Sequence, residues 1–461
     1  MGLLASPAAG QVAESPHLED LTALEYTGLE QITESRVAGT LWFLASDELE
    51  GRGTPSRGLD VATAYAASRL HAAGAEGLGE KGSFYLKSTI DTVRTPLAPQ
   101  LLTINDSNNL RTSLMEGGAQ DLNYEGPIVR ATSADDAAFS GPVLLPISEA
   151  DEAFPPPTRW LRREALRLQQ QGATAVLLEA TPESSFWQFA ASRQTTSRID
   201  VARSRYPLPI GIVEAGKLGD SNVGQVIIPA NLAEASPVRN VAGVLRGSDP
   251  QFAEEALVFT AHIDHLGTGA PGDDPIYNGA DDDASGVTAV LTLADAFATL
   301  TPRSKRSLIF AAFWGEEMGL LGSQHFVRNS PWPLEKMVAN INIEMIGRPE
   351  AGADNRMWMT GWEASDLGEL MAMGSRRLAV ETFNHPRLSA QLYRASDNFS
   401  FVQQGVIAHS FSAGSLHEDY HQPSDEFEKM NLPHMTQVIR GLYAGTLPIA
   451  EAALTPQKPK Q

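Results

Sequence analysis

The sequence predicts an α/β protein with a mixed, mostly parallel central sheet flanked by helices and an inserted β-rich domain. Three observations predict this. Four runs in the C-terminal half, ALVFTAH, SLIFAAFWG, MVANINIEM and GVIAHSFS, have buried-strand length and are apolar throughout rather than alternately. That is the pattern of strands covered on both faces. Helix-like segments such as SGVTAVLTLADAFATL separate them, the alternation of a largely parallel sheet. Between residues 96 and 236 the rhythm stops, prolines cluster (PPP at 155–157), and short β-like runs such as GPVLLPI alternate with polar loops.

At 461 residues the chain exceeds one ordinary domain. The expected division is residues 19–95 as the first part of the main domain, 96–236 as the insert, and 237–455 as the remainder. Residues 19–75 read as mainly helical, ending in LDVATAYAASRLHAAG with Gly74 suited to a C-cap. Gly77, Gly79 and Gly82 then spell G-x-G-x-x-G. They follow a helix and precede the strand-like SFYLKSTI, the reverse of the dinucleotide-binding order, so they read as a turn. Within the insert one amphipathic helix, RWLRREALRLQQQGA, leads into the strand TAVLLEA, and no convergent set of His or carboxylate residues is present. The chain has no internal repeat.

Composition narrows the chemistry. With 42% apolar and 20% charged residues the chain is of the soluble globular class, and no apolar run approaches membrane-span length. A net charge of −21 repels nucleic acid and anionic membrane. There is no cysteine, which excludes disulfides and thiolate sites and leaves any metal to His and carboxylate. The start, MGLLASPAAGQVAESPHLED, lacks the charged and apolar regions of a signal peptide, so a cytosolic protein or an already removed signal is expected. The tail TPQKPKQ reads as a frayed end.

In such sheets ligands bind beyond the carboxyl ends of the strands, and the informative polar clusters fall there. His262 closes ALVFTA, and Asp264 follows where a group fixing the tautomer of a ligating imidazole would stand; a satisfied strand-end His is the alternative. NGADDDASG places three carboxylates at the opening of a helix, where Asp281 and Asp283 can equally be caps favoured by the helix dipole. Glu316 and Glu317 directly follow SLIFAAFWG; surface exposure is one reading, but folding does not ask for adjacent acids at a buried strand terminus. Glu344 sits in the apolar strand NINIEMIGR, and a buried carboxylate with no partner is costly enough to need a cation. HEDYH, residues 417 to 421, matches the zinc signature H-E-x-x-H, which works only on a helix. Gly414, Ser415 and Pro423 argue against a helix, so any ligand here must find its partners elsewhere.

In this order and at these intervals, AHIDHLG, NGADDDASG, GEEMGLLGSQHF, NINIEMIGR and DYHQPSD resemble the co-catalytic di-zinc aminopeptidases, whose relatives include glutamate carboxypeptidase and the transferrin receptor ectodomain. LASDELEGRG resembles the same family's N-terminal segment, and the insert, with GPVLLPI and LQQQGATAVLLEA, resembles its protease-associated domain. The resemblance implies a zinc-exopeptidase fold, a peptide substrate, two Zn²⁺ (with Co²⁺ or Mn²⁺ as other occupants) and a secreted or envelope location. It implies that His262, Asp282 and Glu344 hold one zinc, and that Asp282 bridges to a second held by Glu317 and His421. Glu316 would be the general base, Asp264 would orient His262, and Tyr393 in LYRASDNF would polarise the scissile carbonyl. Glu344 stands where the family more often has Asp, and Asn398 where a His often follows Ser-Asp. His417 is then a pocket or hydrogen-bonding residue, Glu418 has no role, and the H-E-x-x-H match is coincidental. Aminopeptidase is the implied activity, with a carboxypeptidase or glutaminyl-cyclising relative as the alternative on the same metal centre. A non-catalytic, receptor-like homologue would lack ligands, whereas every ligand position and the base are filled here.

Overall fold

The computed structural model describes residues 23–94, 101–104, 110–131, 138–147, 158–187, 190, 198–200, 206–219, 221–269 and 273–459. The chain's first residues, the proline run at 155–157 and the last two residues lie outside this set. Two compact units emerge, Met1–Ser88 with Val238–Gln461, and Thr89–Pro237.

After a short helix at Ala23–Leu29, the first unit carries helices α1 (Glu34–Leu44) and α2 (Arg57–Ala72). Ser56 accepts the Leu59 N–H at 3.0 Å to cap α2, and Gly74, at φ +75°, ends it as a left-handed C-cap. Of the glycine triplet that follows, Gly77 lies in the short strand Glu76–Gly77, and Gly79 and Gly82 flank a turn closed by Gly79 N–H donating to the Ser83 carbonyl. The sheet contains β1 (Leu232–Leu245), β2 (Ala256–His262), β3 (Ser307–Phe313), β4 (Met337–Ile343), β5 (Arg356–Met359), β6 (Glu381–Phe383) and β7 (Ala408–Ser412). These lie in the order β6-β5-β7-β4-β2-β3-β1. Strands β7, β4, β2 and β3 are mutually parallel, while β1 runs antiparallel to β3, and β5 runs antiparallel to β7 but parallel to β6.

Continuous apolarity has the expected cause. Every residue of β2, β3 and β7 is buried. Side chains alternate between two covered faces: Val258 joins Phe326 of helix α4 (Leu321–Arg328) and Phe401 in one core, while Phe259 meets Phe297 of helix α3 (Gly286–Ala298) at 5.8 Å on the other. Register matters most for function. His262 lies opposite Phe313, Thr260 opposite Asn342, and Ile343 opposite Phe411. The four parallel strands therefore end level, and the chain after each leaves from one edge.

The second unit is a seven-stranded mixed sheet with helix Thr158–Gln170 packed on it through Leu161, Ala165 and Leu168. Among the described residues no helix is long and apolar enough to cross a membrane.

Candidate metal centre

Four strand ends deliver the charged residues. His262 is the last residue of β2, Glu316 and Glu317 follow β3, Glu344 follows β4, and His421 lies in the loop after β7. Asp282 comes from the irregular turn Ala280–Ser285 leading into α3. Its two carboxylate oxygens face opposite ways: Oδ1 lies 3.1 Å from His262 Nε2 and Oδ2 lies 3.1 Å from His421 Nε2. His421 Nε2 is also 3.3 Å from Glu317 Oε2. Glu344 and Glu316 line the same cavity as His262 and Asp282, whose volume is about 110 Å³. The segment HEDYH is not helical, and His421 sits at φ +57°, where no right-handed helix can place it.

The electrostatics are those of anions packed around imidazoles. Burial pushes Glu316 well above the usual carboxylate range, aided by the charges of Glu344, Asp397 and Glu317. Burial likewise raises Glu344 to about 8. In Glu317 the effect of burial is outweighed by His265 and His421, which hold it at about 2. In His421 burial is outweighed by Asp282 and Glu317, which push it up to about 9.

A framework of buried groups holds this geometry. His262 Nδ1 is hydrogen-bonded to the backbone carbonyl of Asp264 at 3.1 Å, which turns Nε2 toward Asp282. The Asp264 carboxylate is farther, 3.8 Å from Nδ1. It accepts instead the Glu316 backbone N–H at 3.1 Å and the Thr54 hydroxyl at 3.1 Å. Asp264 thus sets His262 through its backbone and Glu316 through its side chain. Asp283 accepts the backbone N–H groups of His262 and Gly286, at 3.2 and 2.9 Å, stapling β2 to the start of α3. The Asp425 carboxylate accepts the N–H groups of Asp281 and Asp282, each at 3.1 Å.

Arg52, in the LASDELEGRG segment, is only 1% exposed. Its guanidinium donates to the carbonyls of Ile263, Asn278 and Gly279 at 3.0, 2.6 and 3.0 Å, tying the loop after β2 to the turn that carries Asp282. Arg52→Met is expected to destabilise the protein by about 3–5 kcal/mol, the size found when one member of a buried charged network is removed. Denaturant unfolding checks this; a loss under about 1 kcal/mol would mean that the carbonyls find other donors.

The loop bearing His421 has its own anchor. Asp419 accepts from Arg348, Ser424 and Lys429, and these bonds hold its carboxyl far below the usual range despite burial. A depressed folded-state value means stability that is full above the unfolded value of about 4 and lost as pH falls below it. The melting temperature of Asp419→Asn should therefore lie below wild type at pH 7, and the gap should narrow under acid.

Not every expected residue arrives at the site. Tyr393 stacks on His409 at 5.5 Å and packs against Gly361, and it is not among the residues lining the cavity. Tyr420 lines the cavity instead, stacked on His421 at 3.9 Å, with its hydroxyl pushed well up by burial and by Asp282, Glu317 and Glu316. His417 stands 3.2 Å from Asp281 Oδ2 and so bonds a neighbour of Asp282 rather than Asp282 itself. His265 was missed: its Nδ1 lies 2.8 Å from Glu317 Oε1. Its place in AHIDHLG, one residue after Asp264, was the available signal.

The donor set fits a divalent metal. It combines imidazole nitrogens and carboxylate oxygens without thiolate, which suits zinc and its neighbours. Glu317 Oε1 and both His265 nitrogens are buried with no hydrogen-bond partner. His265, Asp282 and Glu317 each offer an atom within 4.8 Å of the others.

Residues 240–444 match Peptidase family M28. Aminopeptidase YwaD of Bacillus subtilis is 28% identical over 239 residues, covering 48% of this chain and 46% of that protein. A probable zinc metalloprotease of Pyrenophora tritici-repentis is 33% identical over 130 residues, 28% of this chain and 27% of its own. The chain thus spans less than half the length of these curated relatives. Two solved structures share the fold: the aminopeptidase from Aneurinibacillus sp. strain AM-1, at TM-score 0.55 and 15% identity over 92% of this chain and 95% of that one, and BSAP, a zinc aminopeptidase from Bacillus subtilis, at 0.55 and 15% over 90% and 94%. All the clustered side chains from His262 to His421 lie inside the span of the chain that matches peptidase family M28.

Proposed function

We propose that the chain is a zinc-dependent aminopeptidase whose site takes two ions. One observation carries this reading: the Asp282 carboxylate is shared, one oxygen toward His262 and the other toward His421. His262 and Glu344 would complete one ion's ligands around it, and Glu317 and His421 the other's. Such ions, when bound, lower the pKa of a water and stabilise developing oxyanion charge.

The chain's own groups do the rest. Glu316 accepts the proton of the attacking water and delivers it to the departing amine, a task suited to a carboxyl raised by burial. Asp264 fixes Glu316 through its backbone N–H. The Tyr420 hydroxyl, raised and therefore always protonated, donates toward the carbonyl oxygen as charge builds there. Met345, Trp358, Leu388, Leu392 and Leu416 form an apolar wall for the substrate's side chain.

Charge favours a free amino terminus over a free carboxylate. Among the described residues the cavity lining holds three carboxylates, Asp282, Glu316 and Glu344, and no Lys or Arg. A carboxypeptidase would need a cation to meet the terminal carboxylate. The expected result is hydrolysis of aminoacyl-nitroanilides and of free-amino peptides, with N-acetylated peptides left intact. Release of C-terminal residues from N-acetylated peptides would instead make it a carboxypeptidase. Chelation should abolish turnover, and Zn²⁺ should restore it. The secreted or envelope location that the resemblance implies is part of the same proposal.

A further inference from the structure

His265 has no role in the ligand set proposed above, yet it is built into the site. Its ring is 1% exposed. Its backbone N–H donates to the Arg52 carbonyl at 3.3 Å, so the same Arg52 segment that ties the two loops also seats this residue. The ring lies against Gly279, where a Cβ would come within 2.5 Å of His265 Cδ2. Gly279 adopts φ +54°, so both its space and its backbone suit glycine. The turn that presents Asp282 is thus shaped around the His265 ring.

That position is costly for an imidazole with nothing to bind. Neither ring nitrogen has a hydrogen-bond partner, and neither does Glu317 Oε1, although Nδ1 stands 2.8 Å from it. Buried polar atoms normally find partners, and His265 Nδ1 and Glu317 Oε1 stand close without the alignment of a hydrogen bond. The distances show what fits. In a tetrahedral site with zinc-to-ligand lengths of about 2.0–2.2 Å, ligand atoms lie roughly 3.3–3.6 Å apart. His265 Nδ1 is 2.8 Å from Glu317 Oε1 and 3.9 Å from Asp282 Oδ2. His421 Nε2 is 3.3 Å from Glu317 Oε2 and 3.1 Å from Asp282 Oδ2. The two imidazoles approach the same pair of carboxylates at spacings that straddle the tetrahedral edge.

We propose that His265 is a further ligand, through Nδ1, of the ion shared by Asp282, Glu317 and His421. This rests on the two-ion reading of the site. It makes the centre asymmetric: three side chains hold the ion at His262 and Glu344, and four hold its neighbour. The ion beside His265 is then the more tightly kept of the two.

The test compares wild type with His265→Gln, using His417→Gln as a control. Stepwise Zn²⁺ affinities are read by competition with a chromophoric chelator, and the visible absorption of the Co²⁺-loaded protein reports the ligand field. Wild type should bind two ions. His265→Gln should weaken one of them at least about tenfold and alter the Co²⁺ bands, whereas His417→Gln should do neither. Zinc-edge X-ray absorption of the unmodified protein, independent of any variant's folding, should count three imidazoles per two ions. Two imidazoles, or unchanged affinities and bands in His265→Gln, would overturn the assignment while leaving the two-ion site standing. Binding of fewer than two ions by wild type would overturn both.

Discussion

Glu316→Gln is expected to lower kcat by about 10²–10⁴ while leaving the metal content at its wild-type value. The substitution keeps the shape of the side chain and removes only its capacity to take a proton. The scaffold around it should persist, because Asp264 holds residue 316 through the backbone N–H, which glutamine retains. Glu316 makes no close approach to the imidazoles that bracket Asp282; those fall to Asp282 and Glu317. Turnover on an aminoacyl-nitroanilide and elemental analysis of the same sample check both halves. Loss of metal in Glu316→Gln would make the residue a ligand, and an unchanged kcat would move the proton transfer elsewhere.

Asp282→Ala is expected to strip the centre. Its carboxylate faces His262 with one oxygen and His421 with the other, so its removal takes a ligand from both ions at once. Loss of a group that merely orients a ligand costs 10–100-fold in affinity, and a shared ligand should cost at least that much at each site. Metal content after gel filtration should fall from two per chain toward none, and turnover should vanish with it. The neighbouring acid provides the control. Asp281 bonds His417 and the Gly347 N–H at 3.2 and 2.8 Å, so Asp281→Ala should keep both ions even if it is less stable. Far-UV circular dichroism of each variant separates loss of metal from loss of fold.

The parts of this site that could be read from the sequence are those whose chemistry is local. Continuous apolar strands announced a sheet covered on both faces, and its ligand edge follows from strand direction. Glu344 drew notice as a carboxylate in an apolar run, expensive without a cation, and it stands just past the end of β4. HEDYH could be refused as a helical zinc signature because glycine and proline flank it, and His421 indeed sits at positive φ. The parts that could not be read act through folding over long distances. Arg52 serves carbonyls more than 200 positions away, and Asp425 holds the amides of Asp281 and Asp282 from some 140 positions downstream. Nothing in the local pattern of either residue shows those partners. Tyr393, which the resemblance assigns to the carbonyl, stacks on His409, a contact no local pattern shows. Tyr420 reaches the cavity because it adjoins His421 in the loop.

The most direct measurement is anomalous diffraction at the zinc absorption edge from crystals grown with Zn²⁺. The account predicts two peaks flanking the Asp282 carboxylate, one beside His262 and Glu344 and the other beside Glu317 and His421. A single peak, or a peak at His417 with none at His421, would contradict it.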